Sequence, residues 1–352
     1  MTISMEDYIR VVIPYLNAEL ISVEALCQVQ RLARSLPPSP TAFFECRLED
    51  NQPQVDFSIG LFSSVSDHFI EYFLIQADWY SYRDIFLGLI NSTSILKQYI
   101  SYIFLEFDLP GKLVQLPMPC IFLAFEQEGL SKTQGLIELI SKNFGYSNTA
   151  SLESNLSYYF DCLPPSSTVT PIGLMLSRPN KPVRLGIQGT SSQHLLDYLA
   201  KLGWFDVTST FSSITLALEK FVDSFRLCFD IYDSFSPKIG LECFLQQPSD
   251  ESRWQQLLNY LVEIGVCTPV KRDALLTWPG FSQKTDAPEL WPNNLAGGDL
   301  LLGSSALSIF WREISHIKII YDVAEDCLSA KGYLSFGHSW LDVDLITEIS
   351  DK

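Results

Sequence analysis

Short runs of strict apolar–polar alternation recur along the chain, and they come in pairs. The pairs are 43–49 with 54–62, 101–108 with 119–127, 170–177 with 182–188, 225–232 with 237–246, and 315–322 with 329–337. Period-two alternation predicts half-buried strands, and two such runs joined by a short polar turn predict a hairpin. The third pair, for example, turns at Arg178-Pro179-Asn180-Lys181. Between the pairs the periodicity is helical. Met5 to Leu36 carries Ile9, Val12, Ile13 and Leu16, then Leu26, Val29 and Leu32, and stops at Pro37-Pro38 because proline cannot continue the helical hydrogen bonds. Residues 65–96, 130–143, 152–161, 191–203, 209–222 and 250–264 read the same way. Ser191 or Ser192 caps one of these helices, and Gly265 is the left-handed residue that closes another. Residues 277–303 carry Pro, Gly and Trp and predict a long connection.

A helix–strand–strand–helix unit recurring roughly every 60–90 residues is the signature of a repeat architecture. The predicted fold is α+β: a closed, ten-stranded antiparallel β-barrel of five αββα repeats with the helices outside, forming one domain over residues 1–352. The competing arrangement places the hairpins in separate sheets of a two-domain interaction protein.

Side chains alternate across a strand, so each hairpin has two faces. In 225–232, Phe225, Leu227, Phe229 and Ile231 oppose Arg226, Cys228, Asp230 and Tyr232. Amphipathic helices bury their stripes against the apolar face, which turns the other face into the lumen. By this parity the lumen collects Arg47, Arg184, Arg226, Lys238, Lys318 and Lys331, together with Glu45, Asp56, Glu106, Asp230 and Glu242. Gly60, Gly173, Gly186 and Gly240 fall on the same face and are expected to keep space open. A small barrel with a dry core alternates Val, Ile and Leu there, so the expectation is a polar cavity.

Composition narrows the chemistry. The 352 residues hold 24 Lys and Arg against 41 Asp and Glu, a formal charge of −17, which argues against a nucleic-acid or anionic-membrane partner. Cations gathered inside so acidic a chain are costly unless a multiply charged anion is bound there. No apolar run reaches the roughly 18–20 residues of a membrane span. The N-terminus lacks a basic segment followed by an apolar one, so a cytoplasmic protein without a signal peptide is expected. Eight scattered cysteines without a C-x-x-C pair read as reduced thiols, and four histidines without ligand spacing argue against a structural metal site. Motifs of other enzyme classes (G-x-S-x-G, the P-loop, G-x-G-x-x-G, H-E-x-x-H, Asp-Asp-x-x-Asp) do not occur.

The repeated αββα unit with a cation-bearing lumen resembles the ABBA prenyltransferases. Two stretches look like the cyanobactin-type peptide prenyltransferase branch: Cys46-Arg47-Leu48-Glu49 with the strand Val55–Phe62, and Leu227-Cys228-Phe229-Asp230-Ile231-Tyr232-Asp233 running through Lys238-Ile239-Gly240-Leu241-Glu242. Small-molecule relatives carry an Arg-x-Lys-x-Tyr strand, whereas this chain has Arg226-x-Cys228-x-Asp230-x-Tyr232 without the lysine, a departure that favours a metal-assisted version.

The resemblance implies transfer of a dimethylallyl or longer isoprenoid group from a prenyl diphosphate, with Mg²⁺, to a side chain of a cyclic or linear peptide or to an aromatic acceptor. In that reading Arg47, Arg184, Arg226, Lys238, Lys318 and Lys331 hold the diphosphate, and Asp56 and Asp230 hold the metal. Tyr102, Tyr232 and Tyr333 shield the allylic cation. Glu45, then Glu106 or Glu242, takes the acceptor's proton, and the acceptor enters a mouth bordered by Trp278 and Trp291. The alternative is a non-catalytic barrel that binds an anionic ligand or peptide.

Overall fold

A computed structural model describes residues 3–49, 53–62, 66–96, 100–109, 115–125, 149–204, 208–231, 235–246 and 251–342. The expected helix at 130–143 and the expected shield residue Tyr232 lie outside the described residues. The strands are β1 (Thr41–Arg47), β2 (Val55–Phe62), β3 (Ile100–Phe107), β4 (Cys120–Phe125), β5 (Thr168–Leu174), β6 (Val183–Gln188), β7 (Ser224–Ile231), β8 (Phe235–Phe244), β9 (Gly280–Gln283), β10 (Ala306–Asp322) and β11 (Cys327–Asp342). The helices are α1 (Met5–Val12), α2 (Val23–Ala33), α3 (Ser66–Ile75), α4 (Arg83–Leu96), α5 (Thr149–Asp161), α6 (Ser192–Lys201), α7 (Thr208–Leu218), α8 (Glu251–Glu263), α9 (Pro269–Leu276) and α10 (Leu295–Leu302).

Strands β1 to β8 pair in sequence order, β10 follows β8, and β11 pairs with both β10 and β1. The ring is therefore a closed ten-stranded antiparallel barrel with the helices outside, and the separate-sheet arrangement is dismissed. Sequential antiparallel order also puts all five intra-hairpin turns at one end of the barrel, with the helical connections leaving from the other.

Local chemistry accounts for the helix ends. Ser22 Oγ accepts the Ala25 N–H at 3.1 Å, and Ser191 Oγ accepts the His194 N–H at 3.3 Å. Gly265 follows α8 with φ +79°, the left-handed conformation that an L side chain resists. Leu32, Leu199, Leu258 and Leu275 of the helices join Phe44, Leu105, Leu185, Leu241 and Ile319 of the strands in one buried apolar cluster. That cluster is the core, and it lies between barrel wall and helices rather than in the lumen. No helix among the described residues is long and apolar enough to cross a membrane.

The structure differs from expectation in several places. The fifth hairpin is much longer than the alternation indicated, because β10 continues back to Ala306 behind a bulge between Ile314 and His316 that inverts the side-chain parity. The segment 277–303 is no plain connection: it contains β9, which pairs with Ile309–Arg312 of β10, and then α10. Trp278 and Trp291 do not border a mouth. Both are buried, Trp278 against Phe44 and Phe336 of the outer core and Trp291 against Phe310.

The inward glycines do not leave open space either. A Cβ at Gly173 would stand 2.6 Å from the Phe122 ring and one at Gly240 2.6 Å from Lys318 Cε, while Tyr102 lies over Gly60 and Arg226 over Gly186. Each glycine lets a long side chain from a neighbouring strand cross the wall. Gly173→Ala should accordingly cost about 1–3 kcal/mol of stability by overpacking. Urea unfolding measures this, and an unchanged midpoint would contradict the packing described.

Candidate functional site

Inward side chains divide the lumen into two halves. Toward the helical end lie Phe43, Tyr102, Phe104, Phe122, Phe244 and His316. Their rings pack on one another: Tyr102 to Phe104 at 4.4 Å, Phe43 to Phe104 at 5.7 Å and Phe244 to His316 at 4.9 Å between centroids. Cys120, Phe122 and Met175, with Phe104 packed against them, form an apolar cluster separate from the outer core. Toward the hairpin end lies a cavity of about 520 Å³, lined by Glu45, Arg47, Asp56, Asp108, Arg178, Arg184, Asp230, Lys318, Lys331 and Tyr333 among others.

Among the described residues, nearly every charge in the lumen meets its opposite. Arg47 pairs with Asp56 at 3.1 Å, and Arg184 grips Asp230 through Nε and Nη2 at 2.6 and 3.0 Å. Lys331 pairs with Glu45. Glu242 receives Lys318 at 3.1 Å on one oxygen and Arg226 at 3.0 Å on the other. Arg178, from the turn of the third hairpin, reaches Glu106 at 3.4 Å, Asp108 at 3.3 Å and Asp230 at 3.7 Å. Six cations thus face six carboxylates. One donor is unspent: Arg47 Nη1 is buried without a hydrogen-bond partner among the described residues.

Five of the six expected cations project inward from the wall. Lys238 has the inward parity but sits at the rim, 63% exposed and paired with Asp322 at 3.1 Å. Arg226 lies deeper than the cavity, over the Phe244 ring at 4.8 Å with Gln188 Oε1 as a second partner. Tyr102 is embedded in the aromatic half. Tyr333 lines the cavity and stacks on His316 at 4.0 Å. Glu49, part of the motif carrying the resemblance, is structural: its carboxylate accepts the Ala330 N–H at 2.9 Å.

The three inner glutamates differ in their hold on a proton. Burial pushes Glu45 up, but the Lys331 ammonium and the Tyr333 hydroxyl more than reverse this and hold it at about 2. Glu242 is buried too, and Lys318 keeps it well below the usual carboxylate range. Glu106 goes the other way: burial, and then the negative charge of Glu45, push it up to about 8 against the opposing pull of Arg178 and, more weakly, Arg184. Asp56 is also raised, by burial and by Glu45, while Arg184 holds Asp230 low against the effect of burial. Burial lowers His316 to about 4, so its imidazole is neutral at pH 7.

The fit of a metal is decided by the donor set. Asp56 is engaged by Arg47 and by the Leu109 N–H at 2.8 Å, and Asp230 by Arg184 and Arg178. Among the described residues no three His, Cys, Asp or Glu side chains converge on one point. The described residues do not fit a protein-held metal cage.

Arg178 and Asp108 were absent from the expected set. Asp108 continues the inward parity of Tyr102, Phe104 and Glu106 one residue past β3, a signal present in the sequence. Arg178 lies in a turn, where alternation says nothing about direction. The chain matches no protein-family model and no curated protein.

The raised Glu106 has a consequence for stability. Its ordinary value is 4.5 and its folded value about 8. Between those limits the folded state binds more protons than the unfolded chain, so stability falls as pH rises through that window. Glu106→Gln abolishes this contribution. The melting temperature of the variant relative to the parent should therefore climb from about pH 5 to pH 8 and level off above. A difference that stays constant across this range would contradict the assignment.

Proposed function

We propose that the barrel is a prenyltransferase that moves a dimethylallyl or longer isoprenoid group from a prenyl diphosphate to a side chain of a cyclic or linear peptide or to an aromatic acceptor. The observation that carries this reading is the division of one lumen into an ionic half and an aromatic half. A prenyl diphosphate has the same division: a multiply charged head and an apolar tail. The closed αββα barrel and the family resemblance of the sequence support it.

In this mechanism the diphosphate lies at the hairpin end among Arg47, Arg184, Lys318 and Lys331, and its tail points to Tyr333, His316 and the rings behind them. The allylic C–O bond breaks and its electron pair leaves with the diphosphate. Guanidinium and ammonium groups stabilise the charge that develops on the leaving oxygen. Glu106, uncharged near neutral pH, gives its proton to that oxygen. The allylic carbon bonds to the acceptor, and the acceptor's displaced proton returns to the Glu106 carboxylate. Glu106 suits this exchange better than Glu45 or Glu242, whose protons are lost at far lower pH. Magnesium enters only as a companion of the diphosphate, in keeping with its habit of binding through substrate phosphates and few protein ligands.

A second reading, a non-catalytic barrel for an anionic ligand or peptide, is favoured by the near-complete pairing of charges in the lumen. Incubation of the full chain with dimethylallyl diphosphate, Mg²⁺ and a tyrosine- or tryptophan-bearing peptide separates the two. The enzyme reading expects diphosphate release with a prenylated product, and a loss of at least about 100-fold in Arg184→Ala while its circular dichroism is retained. Diphosphate release from no donor, with pyrophosphate still bound, would establish the second reading instead.

A further inference from the structure

The turn that carries Arg178 is held from within: Met175 N–H donates to Pro182 O at 3.0 Å, Arg178 N–H to Met175 O at 3.1 Å and Lys181 N–H to Arg178 O at 3.1 Å. Its backbone is thus a fixed base from which a long side chain reaches over the cavity. The guanidinium touches carboxylates on two strands at distances of 3.3–3.7 Å, longer than the 2.6 and 3.0 Å of Arg184 on Asp230. A cation spread over three acceptors at long range is the one that a stronger anion removes most easily.

What it leaves behind is equally specific. Asp230 keeps its fork from Arg184. Asp108 keeps the Ser177 hydroxyl, which donates to Oδ2 at 2.5 Å. Glu106 keeps no ion-pair partner among the described residues. The charged and titratable groups around it are Glu45 on β1, Asp108 beyond β3, Cys120 on β4, Arg184 on β6 and Tyr333 on β11. On β2 its neighbour is the uncharged Ser58. Without Arg178 its surroundings carry more negative charge, and the cheapest compensation is a proton.

We propose that Arg178 is a ligand-binding residue that changes partners: a diphosphate entering the cavity draws its guanidinium off Glu106 and Asp108, and Glu106, left without an ion-pair partner, takes up one proton. This rests on the diphosphate reading of the cavity and adds to it a binding residue and a proton linkage. Above neutral pH, where Glu106 is partly ionised, the uptake also restores the acid form that the leaving group needs. Burial already raises Glu106 to about 8, so the uptake is expected around and above that pH.

Calorimetric titration of the full chain with pyrophosphate at about pH 8.5, in two buffers of different ionisation enthalpy, counts the protons bound. Protonation of pyrophosphate itself is common to all variants and cancels in the comparison. The parent is expected to take up more protons per ligand than Glu106→Gln, which binds at least as tightly as the parent. Arg178→Met is expected to lose the extra uptake as well and to bind about tenfold or more weaker, the loss of a charge-assisted contact. Equal proton counts in parent and Glu106→Gln, or Arg178→Met binding within about twofold of the parent, would overturn the proposal and leave the diphosphate site standing. Folded parent protein that binds no pyrophosphate would remove the diphosphate reading itself.

Discussion

Seven residue pairs between β1 and β11, from Thr41↔Gly337 to Arg47↔Lys331, turn an open sheet into a ring. Everything about the lumen depends on that register. Side chains alternate with period two, so a one-residue slip would send Glu45 and Arg47 into the apolar layer beneath the helices and bring Phe44 and Cys46 inside. The cost of moving two charges into that layer fixes the register as firmly as the backbone hydrogen bonds do. Closure also removes the sheet edges that an open ten-stranded sheet would expose.

Given the ring, the ion pairs of the lumen follow from strand neighbourhood. Arg184 and Asp230 are register partners on β6 and β7, as are Arg226 and Glu242 on β7 and β8. Lys318 and Glu242 are partners on β10 and β8. Such pairs keep an empty lumen satisfied, because a buried charge without a partner is far more costly than a paired one. They also set the terms of binding: an anion gains only where it displaces a carboxylate or finds an unspent donor. Arg47 Nη1 is such a donor, and Arg178 is the most loosely shared cation.

Most of the fold was legible in the chain because its evidence is local. Alternation fixed the five hairpins and the inward set, and the capping roles of Ser191 and Gly265 are as expected. What the sequence concealed is nonlocal or irregular. The bulge near Ser315 reverses parity, so Trp311 crosses over Gly337 from a stretch that shows no simple alternation. The glycines looked like empty space because the residues that cover them, Tyr102, Phe122, Arg226 and Lys318, sit on neighbouring strands. Arg178 points inward from a turn, where alternation says nothing about direction, and Lys238 keeps its inward parity but reaches only the exposed rim of the cavity, paired with Asp322. The proton affinities of Glu45 and Glu106 depend on which cation stands opposite, and that is set by register rather than by composition.

In the proposed function the ionic half of the lumen exchanges its own carboxylates for a diphosphate. A crystal structure of the protein grown with pyrophosphate tests it most directly. The anion is expected at the hairpin end, within hydrogen-bond distance of Arg47 Nη1 and of Arg178, with Arg178 withdrawn from Glu106. A lumen that excludes pyrophosphate, with each arginine and lysine still seated on its carboxylate, would contradict it.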